Sequence, residues 1–222
     1  MKKFVFLMLL AFASFFNSAQ ATVIGDTSDH NAVQNSCYPF ACAIGAGSYQ
    51  QLYSYKDFDG KMNIGSLMFD ANYSGDSIYS PNVSDGVFTV TLSTVDKLAF
   101  PTSLNHFSGQ SNVQVVYQGK LPAMKDWYSL QINLQDTYFY DPALEQNLVM
   151  QVDWTDANVA YNTPTFVNGT GTWGRLDSIN VPSFNHDYGL VTHFSDVPEP
   201  GSLALIGLGM FGLFGLRRRS AK

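Results

Sequence analysis

Residues 88–93 read Phe-Thr-Val-Thr-Leu-Ser, apolar and polar side chains in strict alternation. A period of two puts Phe88, Val90 and Leu92 on one face of an extended strand and Thr89, Thr91 and Ser93 on the other, the pattern of a strand buried on one side. The same period returns at Tyr128, Leu130, Ile132 and Leu134 against Ser129, Gln131 and Asn133, and again at Leu148, Met150, Val152 and Trp154. These three runs are expected to line a common core between two sheets about 10 Å apart. Their opposite faces, rich in Thr, Ser, Gln and Asn, are expected to be hydrated and uncharged.

Weaker strand patterns lie at 47–56, 61–69, 137–140, 170–176 and 190–194. Val113, Val115 and Tyr117 alternate with Gln114 and Gln118, although Val116 breaks the pattern. Between residues 22 and 196 no ten-residue stretch follows a 3.6 period, and no strand-length repeat is visible. Turn chemistry separates the runs. Asp57-Phe58-Asp59-Gly60 reads as a tight turn joining 47–56 to a partner strand at 61–69. Residues 70–86 read as a long loop, residues 141–147 as a turn, and residues 22–36 as a polar, loosely ordered segment. Of the 17 acidic residues between 22 and 196 only Glu145 is a glutamate, and Asp favours turns where Glu favours helices. The expected fold is all-β, an antiparallel β-sandwich, jelly-roll-like or Ig-like.

The two ends do not share this pattern. Met1-Lys2-Lys3, an apolar run from Phe4 to Phe16 and the small-x-small triplet Ala19-Gln20-Ala21 make residues 1–21 a signal peptide cleaved after Ala21. At the other end Pro198-Glu199-Pro200 stops any regular element. Residues 201–216 follow without a charge, a short span for a transmembrane helix, and Arg217-Arg218-Arg219 form a cationic stop on the cytoplasmic side. Residues 22–196 remain as the exported domain. They carry six basic residues against 17 acidic ones, a net charge near −11, which argues against nucleic acid as a partner. Cys37 and Cys42, the only cysteines, are expected to form a disulfide in an oxidising compartment. So small a loop gains at most about 2 kcal/mol, enough to pin the N-terminal segment but not to hold the fold together.

The proline pair, the Gly-rich apolar run and the arginine cluster resemble the PEP-CTERM sorting signal of Gram-negative bacteria, over residues 197–222. The resemblance implies recognition and cleavage by an exosortase-type membrane protease, a transient inner-membrane anchor, and final placement on the cell surface or in the extracellular matrix with exopolysaccharide. A second resemblance covers about half of the exported part. Tyr49-Gln50-Gln51-Leu52-Tyr53, Ile64-Gly65-Ser66-Leu67, the strand Phe88 to Thr94, Tyr140-Asp141-Pro142 and Asn147 to Val152 are similar to a sandwich domain common in PEP-CTERM proteins. Glu145-Gln146 departs from it, replacing the usual small or Gly-containing turn. This resemblance carries a fold and no active site.

The residues themselves offer little chemistry. Gly75-Asp76-Ser77 is followed by Ile78 rather than Leu, and neither His186 nor His193 has an Asp three residues before it, so the hydrolase pattern is incomplete. His30, His106, His186 and His193 form no His-Glu-x-x-His array. Asp57 with Asp59, and Asp153 with Asp156, could offer oxygens to Ca²⁺, but turn formation accounts for them better. Tyr49, Tyr53, Tyr55, Trp127, Trp154 and Trp173 could stack on sugars, yet aromatics on strands are more often core. No metal, cofactor or catalytic residue is therefore expected. The leading expectation is a non-enzymatic surface or matrix protein associated with exopolysaccharide. The alternative is a secreted hydrolase acting on polysaccharide or esters.

Overall fold

The structure, a computed structural model, describes residues 21–25, 35–72, 82–96, 109–124, 128–159, 165–167, 173–178, 183–186 and 189–197. All its strands belong to one compact unit, Gln20–Asp196. In chain order they are β1 (Ala21–Ile24), β2 (Asn35–Ser36), β3 (Gly45–Tyr53), β4 (Met62–Asn72), β5 (Asp85–Asp96), β6 (Ser111–Gly119), β7 (Ser129–Tyr140), β8 (Gln146–Asn158), β9 (Thr165–Val167), β10 (Trp173–Ser178), β11 (Ser183–His186) and β12 (Thr192–Asp196). Two short 3₁₀ turns, Tyr55–Asp57 and Pro142–Leu144, are the only helical pieces among the described residues.

Two antiparallel sheets form the expected sandwich. Sheet 1 runs β1-β12-β4-β9-β2, with β7 also paired to β4; sheet 2 runs β11-β10-β3-β8-β5-β6. The clean alternation settles which faces meet. Phe88, Val90, Leu92, Leu130, Ile132, Leu148, Met150, Val152 and Trp154 all enter one core. Removing each such side chain from water contributes on the order of 1.5–3 kcal/mol. An aromatic chain crosses between the sheets: Tyr53 on Phe194 at 4.9 Å, Phe194 on Phe58 at 5.4 Å, and Phe58 on Tyr140 at 4.7 Å.

Several expectations need correction. The Asp57–Gly60 turn does not close a hairpin: β3 lies in sheet 2 and β4 in sheet 1. Gly60 lacks the positive φ of a tight hairpin turn, and the segment instead lowers Phe58 into the core as the chain changes sheets. Residues 22–36, expected to be loosely ordered, supply strands at both ends. On β6 the pattern-breaking Val116 is the buried residue, while Val113 and Val115 are exposed. A register shift between Val90 and Thr91 causes this, because their partners Tyr117 and Val115 skip residue 116. Residues 137–140 are no separate strand but the end of β7.

The Cys37–Cys42 disulfide is formed, with Cα atoms 5.2 Å apart. Its loop does more than pin the N-terminal segment. Phe40 and Ala41 are fully buried, and Phe40 packs on Phe69 at 4.7 Å and Phe166 at 5.3 Å. The crosslink therefore holds a core plug in place.

Candidate functional site

The outer face of sheet 2 carries the polar side chains of β5, β8 and β3 in transverse rows. Thr91 lies opposite Gln151, which lies opposite Gln50; Thr89 lies opposite Asp153, which lies opposite Ser48. Gln50 Nε2 donates to Gln151 Oε1 at 2.8 Å, and Gln151 Nε2 donates to both oxygens of Asp153 at 3.0 and 2.8 Å. This amide–amide–carboxylate chain fixes each group's direction, with Gln50 buried and Gln151 and Asp153 half-buried. On β6, Val115 stands opposite Thr91 and is about half exposed, so apolar surface borders the polar rows.

The face differs from the expected hydrated, uncharged surface in two ways. Asp153 places a carboxylate in it. Its far end is buried, because Leu52, Val95 and Val149 form a second small cluster beside buried Ser93. Strand alternation marked which side chains share this face but not that Gln50 and Ser93 on it are buried.

Gln51, the second glutamine of the Tyr49–Tyr53 motif, points the other way, into the core. It is fully buried. Its Nε2 donates to the Leu190 carbonyl at 2.7 Å, and its Oε1 accepts from the Leu190 N–H at 2.8 Å and from the Tyr49 hydroxyl at 2.7 Å. Tyr53 Oη and Thr192 Oγ1 share a hydrogen bond of 2.9 Å. One amide thus bonds both backbone groups of Leu190, whose carbonyl also accepts from Thr192 Oγ1 at 3.0 Å, which is why a buried glutamine is tolerated there. Burial pushes the Tyr49 and Tyr53 phenols well above the usual tyrosine range, against the opposing pull of their hydrogen bonds. The network ties sheet 2 to the segment entering β12.

The groups considered for catalysis and metals are dispersed. His193 Nε2 lies 3.0 Å from the Asp70 carboxylate, linking β12 to β4, a pairing that the sequence spacing does not reveal. Asp59 is exposed, Asp153 is engaged by Gln151, and Asp156 adopts a left-handed backbone at φ 54°. Among the described residues no three His, Cys, Asp or Glu side chains gather as a metal site would require. Tyr49, Tyr53 and Trp154 are core residues rather than a sugar-stacking surface. Residues 75–77, His30, His106 and Trp127 lie outside the described residues, as do the side chains of Trp173 and His186.

At the chain ends, Ala21 is the first residue of β1, paired with Ser195 of β12. Ala19, Pro198, Glu199, Pro200, Arg217, Arg218 and Arg219, and the expected span at 201–216, lie outside the described residues. Asp196, the last residue of β12, accepts the Asn63 backbone N–H at 2.8 Å through Oδ1.

A disulfide-bearing antiparallel sandwich defines a class, a β-domain matured in an oxidising compartment. Residues 196–219 match the PEP-CTERM protein-sorting motif. The match begins on the last residue of the last strand, where the described fold ends. The motif implies an exported, cell-surface-sorted protein processed by exosortase. No curated protein matches the chain.

Proposed function

We propose that the chain is a non-enzymatic surface or matrix protein whose sandwich contacts exopolysaccharide through the outer face of sheet 2. The observation that carries this reading is the ordered pair of half-buried Gln151 and Asp153, held by buried Gln50 and flanked by Thr89, Thr91 and Val115. Sugars present hydroxyls on their edges and C–H groups on their faces, and an oriented amide, a carboxylate and threonine hydroxyls beside exposed valine meet both. A net charge near −11 in residues 22–196 disfavours anionic glycans, so the preferred chain is neutral. Signal-peptide cleavage after Ala21 and a transient span at 201–216 belong to the same reading.

Retention of the exported protein on polysaccharide isolated from its host tests this. Thr91→Ala combined with Val115→Asp removes a hydroxyl and charges the apolar border. With about 1 kcal/mol lost at each position, retention should fall roughly tenfold or more. Unchanged retention would remove the face from consideration. Release of new sugar ends or ester products by the purified protein would instead favour the hydrolase.

A further inference from the structure

Two long strands have one open side each. Among the described residues β6 pairs only with β5, and β7 only with β4. An open edge is a row of backbone N–H and C=O groups ready to pair with another chain, and its side chains decide how inviting it is. β7 carries the exposed Asp136, and a charge on an edge strand discourages pairing. β6 has no such guard. Its nine residues, Ser-Asn-Val-Gln-Val-Val-Tyr-Gln-Gly, contain no charge and no proline, and Val113 and Val115 are 60% and 49% exposed. Uncharged, β-branched segments of this length are the ones that recruit strands from other copies.

Register shifts between Val90 and Thr91 and between Leu92 and Thr94 bend the β5–β6 ladder, so its regular part on β6 is residues 117–119. Side chains, not a strand, occupy the open side there. Gln135 on β7 accepts from the Gln118 N–H at 3.1 Å and donates to the Gln118 carbonyl at 3.0 Å. These two bonds reproduce what a residue of a neighbouring antiparallel strand makes to the residue opposite it. Gln114 returns the contact, its Nε2 donating to the Thr137 carbonyl of β7 at 3.1 Å. Each sheet edge is thus closed by an amide from the other sheet.

Charge points to a second copy as the occupant that the amides keep out. Residues 22–196 carry a net charge near −11, so two copies repel over much of their surface. Along β6 there is nothing to repel: the strand is uncharged, and just past its end Lys120 lies 2.9 Å from Asp85, the first residue of β5. A two-fold axis sets the same residue on both sides of an interface. Gln118, with both backbone groups turned to Gln135, is the residue it would set opposite its own copy.

We propose that the β6 edge is a docking surface for β6 of a second copy, and that Gln135 and Gln114 are the autoinhibitory contact that keeps it closed. Closed, the exported chain is monomeric. With the amides removed, sheet 2 continues antiparallel into a second molecule through Gln118. Sorting to one cell surface raises the concentration of copies, which by mass action is where an open edge of this composition would associate.

The test uses the chain as its host exports it, with its mass in solution read by light scattering beside the intact mass of one copy. The wild-type chain is expected to run as one copy. Gln114→Ala combined with Gln135→Ala is expected to run as two, with self-association at least tenfold tighter. Adding Gln118→Lys sets like charges directly opposite across the pair and should return the double variant to one copy. The closing bonds use only the backbone of Gln118, so this change does not touch them. A wild-type chain that is already paired, or a double variant that stays single, overturns the proposal. So does association that Gln118→Lys leaves unchanged, which is what exposure of the core by unfolding would produce.

Discussion

Gly47 stands opposite Trp154 across the β3–β8 ladder, and a Cβ added there would lie 2.3 Å from the indole Cζ2. The strand gives up a side chain so that the largest core residue can lie flat against its backbone. Gly47→Ala should therefore destabilise the domain by about 1–3 kcal/mol, seen as a lower denaturant midpoint with an unchanged slope. A neutral effect would mean that the indole sits elsewhere. The sequence shows Gly45 and Gly47 ahead of an aromatic run, but not the tryptophan 107 positions later that requires the second glycine. Glu145 is the counterpart case: it closes the Pro142–Leu144 turn in the left-handed region at φ 53°, a conformation that favours glycine. Gln51 was legible as part of a motif, but its role was not. Only the fold brings the Leu190 backbone to its amide.

At the level of elements, alternation was a sound guide in the middle of the strands, but not at the ends of the 128–134 run, where Tyr128 is exposed and Leu134 only partly buried. Ile132 on β7 is fully buried and Gln131 is only partly so, its amide bonded to Asn133. Ile132→Asp should abolish cooperative folding by burying an unpaired charge, while Gln131→Ala should change stability by no more than about 0.5 kcal/mol. Thermal melts of the two variants check this, and comparable damage from both would contradict the register. Alternation failed on β6, where a bulge moved Val116 inward, because bulges arise from pairing with a partner strand and leave no mark on the strand's own sequence. It also could not assign strands to sheets. The edge strands β6 and β7 belong to different sheets, yet Gln135 joins them, accepting from the Gln118 N–H at 3.1 Å and donating to its carbonyl at 3.0 Å. That side chain occupies backbone groups that an open edge would expose. A glutamine in a strand gives no hint of such a partner.

For the molecule as a whole, the buried phenols set a limit on conditions. Burial pushes Tyr138 up to about 12 and raises Tyr49, Tyr53 and Tyr140 well above the usual tyrosine range, against about 10 for a tyrosine in an unfolded chain. A raised folded value means that the native state holds its protons longer than the unfolded one, so stability falls as pH rises above about 10. Chemical denaturation should give a constant midpoint contribution from these groups below pH 9 and a steep loss between pH 10 and 12. Stability that held flat to pH 12 would place the phenols in water. The sorting motif at the C-terminal end was the most legible part of the sequence, because targeting depends on local composition and not on tertiary contacts. The sandwich ends at Asp196, on the first residue of the sorting match, which makes it cargo delivered by its own C-terminus. Intact mass of the exported chain, measured in hosts with and without an exosortase, tests this most directly. The expected result is a chain truncated near Pro198–Pro200 only where the exosortase is present. An identical mass in both hosts, still including Arg217–Arg219, would contradict it.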